Sequence, residues 1–431
     1  MRPAARRPAH CDPLAASSSL GFAEGRILAI AVPSGNSSMS DQLPEVRLFQ
    51  PLLGDEELAA VKAAFDRSWV GLGGQVSAFE KEFEDYFGAA AALGVNSGTA
   101  ALQLAVEAFG FPEGKKVLVN DLTFVASATC VLINRLVPVL VDCDPVTLGM
   151  DLDDAASKVD SDTVAMVVVH YGGHPAPMDR VMEFARSHNL KVIEDCAHCI
   201  GGDYQGRKLG TWGDVGCFSF EEKKGMTTGD GGMMVSADRE LVERMRPHRW
   251  VGIDKDTWRR RDSYTDSGDL DTKHWHYEVA VLGYKYNMND LAASIGRVQL
   301  RKLAAMNETK RRAIQRYLSH LRACPDMVPL LPYEADRGAY WLFGVRVNDR
   351  DGVIRHLKQR RISTGVHYMP LHAHPLFERY HASVPNSAAI WPTLLTLPLH
   401  ARLTDAEVDR VGEALSDCAR DDAPSKVASR R

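Results

Sequence analysis

The sequence predicts an α/β protein: a large part with a mostly parallel central sheet flanked by helices, then a smaller C-terminal α+β part. Three observations carry this. Strand-like and helix-like segments alternate between residues 116 and 195, the pattern of a parallel sheet with right-handed crossovers. One segment, Thr163 to His170, is a continuous apolar run, as expected of a strand buried on both faces. Beyond residue 285 the elements shorten and buried-strand patterns thin out, which places a change of domain near Tyr284 to Asn307.

Bulk properties narrow the class. A chain of 431 residues has room for two domains, and 45% hydrophobic with 25% charged residues is ordinary globular composition. No apolar run approaches the roughly 20 residues of a membrane span. A net charge of -5 gives no general attraction to nucleic acid or to anionic membranes. Eight cysteines in so long a chain do not make a disulfide framework. The Cys196-Ala-His-Cys199 pair has no second pair at zinc spacing, so no metal is expected and the thiols read as free, in a reducing cytoplasm. Residues 1–45, rich in Ala, Arg, Pro and Ser, read as a disordered extension. Glu24 and Arg26 interrupt any signal-peptide core there, and Met39 is an alternative start.

The elements follow in order. Asp55 to Phe65 reads as a helix. Ser77 to Phe87 is a clearer one, since Phe79, Phe83, Tyr86 and Phe87 share one face. The glycine-rich stretch Trp69 to Gly74 between them is a loop. Gly94-Val-Asn-Ser-Gly-Thr-Ala100 reads as a turn feeding a helix over Ala101 to Phe109. Asn96, Ser97 and Thr99 are cap-type residues, and such a helix start suits either an ordinary cap or a bound phosphate. Lys116 to Val119 is a strand, and Asp121 to Val125 opens a helix. Pro138 to Val141 is a strand, Met178 to His188 a helix, and Lys191 to Ile193 a strand ending at Glu194-Asp195. Val215 to Phe220 and Gly232 to Val235 are strands joined by a glycine-rich turn that carries Lys223 and Lys224. Residues 251–280 form a polar stretch with Trp258, Arg259, Arg260, Arg261, Trp275 and Tyr277, either a functional loop or a solvated insertion. Two helices follow, Asp290 to Leu303 and Asn307 to Leu321. Tyr340 to Val347 reads as a strand and Val353 to Arg360 as a helix. A last helix starts at Thr404 with Glu407 completing a capping box.

Three features converge on one chemistry. A lysine in a glycine turn can form an imine with an aldehyde cofactor once desolvation lowers its pKa. A carboxylate at a strand end, Asp195, can keep a pyridine nitrogen protonated. The helix start near Ser97 can hold a phosphate. Together they are what a pyridoxal phosphate enzyme needs.

The chain resembles the DegT/DnrJ/EryC1/StrS sugar aminotransferases, which have the type I, aspartate-aminotransferase fold. The resemblance runs from Val46 to Val411. It is carried by VNSGTAAL (95–102), TFVAS (123–127), VDCDP (141–145), EDCAH (194–198), GCFSF (216–220), KGMTTGDGG (224–232), GYKYNM (283–288), HYMPLH (367–372) and LPLH (397–400). It implies a large pyridoxal-phosphate-binding domain over 46–285, a small domain over 286–418 and a loose tail over 419–431. It implies that Lys224 makes the imine and Asp195 pairs with the pyridine nitrogen. Phe124 stacks on the ring, and Gly98, Thr99 and Ser219 contact the phosphate. His198 stands where the family often has Gln, against the ring hydroxyl. The 283–288 segment reaches the neighbouring subunit's site in this family, through Lys285 or Asn287, so a homodimer with shared sites is expected. Dehydrating relatives carry His at the imine position, so Lys224 points to transamination. His367 is expected near the substrate or as a structural residue. The implied reaction moves an amino group, from glutamate, to the ketone of a nucleotide-linked keto-deoxysugar. Arginines 259–261 are candidates for the diphosphate. The alternatives are a keto-cyclitol acceptor, or a binding protein on the same fold.

Overall fold

A computed structural model describes residues 43–253, 277–333, 338–380 and 382–421. Helix α1 (Asp55–Asp66) starts where the Glu57 carboxylate folds back to accept the Gly54 amide at 2.9 Å. Helix α2 (Gly74–Phe87) buries Val76, Phe79, Phe83 and Phe87, the stripe its spacing predicts, and ends on Gly88 in the left-handed region. Strand β1 (Ala91–Val95), helix α3 (Gly98–Glu107), strand β2 (Lys116–Asn120), helix α4 (Ala126–Ile133) and strand β3 (Val137–Val141) come next. Helix α5 (Leu152–Lys158), strand β4 (Thr163–Val169), helix α6 (Met178–Ser187) and strand β5 (Lys191–Asp195) continue the alternation. A small hairpin of β6 (Asp203–Tyr204) and β7 (Arg207–Lys208) precedes β8 (Val215–Ser219), β9 (Gly232–Ser236) and helix α7 (Arg239–His248).

The central sheet has the order β1-β9-β8-β5-β4-β2-β3. Only β9 runs against its neighbours; the pairs among β8, β5, β4, β2 and β3 are parallel. Alternate residues feed two cores. Val117, Val119, Ala165, Val167 and Ile193 join α3, α4 and α7 on one face, while Leu118, Met166, Val168 and Val192 join α2 and α6 on the other. Covering both faces is what makes β4 a continuous apolar run. The same parallel pairing aligns the ends of β5 and β8, so Asp195 and Ser219 emerge along one edge.

Gly94 was read as part of a turn, but it belongs to β1, paired with Met233. A Cβ there would sit 3.3 Å from the Val76 side chain, so α2 packs on bare backbone. The following helix accordingly begins at Gly98 rather than Ala101.

The largest departure from the sequence reading lies further on. The predicted pair of helices is a single one, α8 (Asp290–Leu321). Ala304, Ala305 and Met306 are strong helix formers with no glycine or proline among them. Asn307, read as a new start, is buried mid-helix and donates to the Ile200 carbonyl at 3.0 Å instead of capping. The first half of α8 (Ala293, Leu300, Leu303) packs with α2. The second half (Ile314, Tyr317, Leu321) packs on an antiparallel sheet of β10 (Val328–Pro329), β11 (Phe343–Arg346) and, beyond helix α9 (Arg350–Gln359) and helix α10 (Pro385–Ile390), β12 (Leu394–Leu397). The strand predicted over Tyr340 to Val347 is shorter because the Trp341 and Leu342 amides both bond the Gly172 carbonyl (2.9 and 3.4 Å). Helix α11 (Asp405–Asp421) opens with the predicted capping box: Glu407 accepts the Thr404 amide at 2.8 Å, and Thr404 the Glu407 amide at 3.3 Å. Trp258, arginines 259–261 and Trp275 lie outside the described residues. Among the described residues no helix is long and apolar enough to cross a membrane.

One buried charge cluster ties α7 to the strand that leads into the site. Glu80 accepts the Gly94 amide (2.8 Å) and Arg246 (3.1 Å), and pairs with Arg249, which also donates to the Gly94 carbonyl (3.0 Å). Truncating one partner of such a pair leaves the other charge under-compensated, which typically costs about 3–5 kcal/mol. Arg249→Leu is therefore expected to lower the urea midpoint sharply; an unchanged midpoint would show the cluster to be dispensable.

Candidate active site

Asp195 ends β5 with its carboxylate buried at the sheet edge. It accepts the Ser127 hydroxyl at 2.7 Å and the Ala197 amide at 3.1 Å, which fixes its orientation. The neighbouring Glu194 points the other way into the core. It accepts His170 Nε2 (3.0 Å) and the amides of Gly210 (2.8 Å) and Gly213 (2.7 Å), pinning the end of the strand.

Beyond Ser219 the chain turns tightly. The Lys224 amide donates to the Glu221 carbonyl at 2.9 Å, and the Thr228 amide to the Phe220 carbonyl at 3.0 Å. This turn places the Lys224 Nζ 4.1 Å from the centroid of the Trp341 ring. Trp341 is held in turn, since its indole N–H donates to the Lys223 carbonyl at 2.7 Å and Phe49 stacks on it at 5.0 Å. Burial pulls the Lys224 amine down to about 8; the carboxylates of Asp195 and Glu221 oppose that shift and Lys223 adds to it. Lys223 itself is more than half exposed, 3.8 Å from Glu221.

The third part comes from the start of α3. Ser97 caps it, its hydroxyl accepting the Ala100 amide at 3.1 Å. A Cβ on Gly98 would lie 2.7 Å from the Ser219 Cβ, and one on Gly232 only 2.4 Å from the Ser97 carbonyl. Glycine at both positions is what lets the helix start press against the ends of β8 and β9. The first amides of α3 and the hydroxyls of Thr99 and Ser219 then gather at one positive helix terminus.

Gly98, Thr99, Phe124, Asp195, His198, Ser219 and Lys224 all line one cavity of about 330 Å³. Phe124 is half exposed, its ring 5.6 Å from that of Tyr368. His198 bonds the Tyr368 hydroxyl through Nε2 (3.0 Å) and stacks on Trp341 (4.3 Å), while its buried Nδ1 has no partner among the described residues. Burial, then the charge of Lys224, pushes its pKa well down, so the ring is neutral. His367 also lines the cavity and bonds the Thr396 hydroxyl at 2.9 Å; burial brings it down to about 4.

Lys285 and Asn287 do not line this cavity. Lys285 Nζ donates to the Asn287 side chain at 2.8 Å and sits over the Trp250 ring. Their segment is strapped to β1 through the Asn96 amide, which donates to the Tyr286 carbonyl at 2.7 Å.

Sequence reading missed Ser127, Tyr368 and Trp341. Tyr368 adjoins the flagged His367, so the HYMPLH run held that signal. Trp341 lies in an aromatic run, Tyr340 to Phe343, that reads as ordinary core. Also missed was His170, which joins Cys196 and Cys199 in a buried cluster with donor atoms within 4.8 Å of one another. Both imidazole nitrogens there are taken, by the Ala176 amide at 3.1 Å and by Glu194.

The cavity fits pyridoxal phosphate: a buried amine of lowered pKa, a fixed carboxylate, an unpartnered neutral imidazole nitrogen and a glycine-tight helix start. This is the fold and site of a type I pyridoxal-phosphate-dependent aminotransferase. The chain belongs to the DegT/DnrJ/EryC1/StrS aminotransferase family, whose model matches residues 51–416. The spore coat polysaccharide biosynthesis protein SpsC of Bacillus subtilis is 35% identical over 381 residues, covering 86% of this chain and 96% of that one. The dTDP-4-dehydro-2,3,6-trideoxy-D-glucose 4-aminotransferase of Saccharopolyspora spinosa is 34% identical, covering 85% and 95%. The aminotransferase TlmJ of Streptoalloteichus hindustanus superposes with a TM-score of 0.80 at 33% identity, covering 88% of this chain and all of that one.

A dry lysine makes a measurable prediction. In the apoprotein, labelling of Lys224 by an amine-directed reagent, followed by peptide mass spectrometry, should show a midpoint near pH 8, where burial places its pKa of about 8. A midpoint near the ordinary 10.5 would mean the amine is solvated.

Proposed function

We propose that this aminotransferase moves an amino group from glutamate to the ketone of a nucleotide-linked keto-deoxysugar, in the cytoplasm, as a homodimer with shared sites. The observation that carries the chemistry is the meeting of Lys224, Asp195 and the α3 start in one cavity. The dTDP-sugar named for the Saccharopolyspora relative supports the acceptor class. Cys130, Cys143, Cys196, Cys199, Cys217 and Cys324 are free thiols and buried, in keeping with a reducing compartment.

When bound, pyridoxal phosphate supplies an electron sink for the carbanion formed at the substrate carbon. Lys224 would hold it covalently. Its Nζ would also serve as the base that takes a proton from the substrate carbon and returns it. A pKa of about 8 leaves a usable neutral fraction near neutral pH. Asp195 would keep the ring nitrogen protonated, oriented for this by Ser127 and the Ala197 amide. Gly98, Thr99 and Ser219 would hold the phosphate, Phe124 would cover the ring, and His198 would bond the ring hydroxyl. Trp341 holds the Lys224 turn and closes the cavity wall. Lys285 or Asn287 would complete the partner's phosphate site.

The acceptor is tested directly. Holoenzyme with glutamate and a dTDP-linked keto-deoxysugar should yield the amino sugar by mass spectrometry, with free nucleoside diphosphate inhibiting. Turnover of a keto-cyclitol with no nucleotide inhibition would favour the cyclitol instead. In the same assay Lys224→Ala should lose activity by several orders of magnitude and Lys223→Ala by only a few fold; equal losses would mean the lysines are misassigned. Mixing Lys224→Ala with a Lys285→Ala/Asn287→Ala double variant should restore activity through hybrid dimers that hold one intact site. No recovery in verified heterodimers would remove the shared-site arrangement.

A further inference from the structure

Next to the turn that carries Lys224 lies a second, much smaller cavity of about 30 Å³, lined among others by Glu222, Lys223, Gly225, Lys310 and His400. Lys310 comes from the middle of α8 and is only 4% exposed. Its Nζ has no hydrogen-bond partner among the described residues, and neither has either ring nitrogen of His400, which is 6% exposed. Buried polar atoms are nearly always paired, and an unpaired buried ammonium is the costliest exception. A Cβ on Gly225 would come within ordinary contact of the Lys310 Nζ, at 3.6 Å, so the ammonium lies against the backbone of the turn itself.

Lys223 and Lys310 face the single carboxylate of Glu222 in this wall, and burial brings the Lys310 amine down to about 7, so that an anion beside it favours its charged form near neutral pH. The space is enough for one or two waters or a single halide-sized ion, since a water needs about 10–15 Å³ of such volume. It is too small for phosphate or for any part of a sugar. Burial holds the His400 imidazole below its ordinary pKa against the Glu407 charge and the Arg47 backbone, so the ring is neutral and carries one N–H.

We propose that this cavity binds one monovalent halide-sized anion, held between the Lys310 ammonium and the His400 N–H against the backbone at Gly225. The anion pairs the buried lysine, satisfies the histidine and braces the turn from which Lys224 projects. The cavity adjoins the main one, sharing Lys223, Lys224 and Trp341 with it, but the anion's test does not depend on turnover.

Crystals of the holoenzyme grown with bromide in place of chloride would be measured at the bromine edge. An anomalous peak is expected within hydrogen-bond distance of Lys310 Nζ and His400, and it should be lost in Lys310→Met. Lys310→Gln, which keeps a polar head without the charge, should lose it too and serves if the Met variant does not fold. In solution, chloride NMR line broadening by the wild-type holoenzyme in a gluconate buffer should saturate and be displaced by bromide. Bromide at surface lysines with none at Lys310, or a peak there that survives both variants, overturns the proposal. Absence of saturable broadening overturns it as well, leaving the cavity to water.

Discussion

Burying a primary amine disfavours its charged form, and the arrangement around Lys224 follows from keeping that amine dry but close to a carboxylate. Trp341 supplies the apolar wall, and its own position is fixed by the Lys223 carbonyl and by Phe49. Were the wall absent, water would solvate the ammonium and the pKa would return toward its ordinary value. Were Asp195 absent, burial would be opposed only by the smaller effect of Glu221, and the pKa would fall further. The amine sits between these effects, near the pH at which a catalytic base works best.

Fold and site are linked by the edge of one sheet. Parallel strands all end on the same side, so Asp195 and Ser219 reach that edge without any long-range coincidence. The reversed strand β9 brings Gly232 against the Ser97 carbonyl, where a side chain has no room. The helix start, the lysine turn and the carboxylate are therefore set by backbone register rather than by flexible side chains. The buried Glu80 cluster and the Glu194–His170 pair anchor that backbone from behind.

Much of this was legible in the sequence, for identifiable reasons. The apolar run of β4, the stripe of α2 and the capping box at Thr404 each follow from local periodicity or local hydrogen bonding. Gly98, Thr99, Phe124, Asp195, His198, Ser219 and Lys224, which gather in the cavity, were legible because they stand in ordered motifs. Other features depend on contacts that no local pattern encodes. Asn307 looks like a helix start until the Ile200 carbonyl is seen to take its side chain. Trp341 and Leu342 look like strand until their amides are seen to bond the Gly172 carbonyl. Trp341 looks like core, and its role beside Lys224 exists only in three dimensions.

The most direct measurement is the visible absorption spectrum of purified protein reconstituted with pyridoxal phosphate, before and after glutamate, for wild type and Lys224→Ala. A yellow band in the wild type that glutamate bleaches, and that is altered in the variant, is the expected result. It would tie cofactor, lysine and donor together in one experiment. A wild type that stays colourless with added pyridoxal phosphate, or a spectrum identical in the variant, would contradict the role given to Lys224.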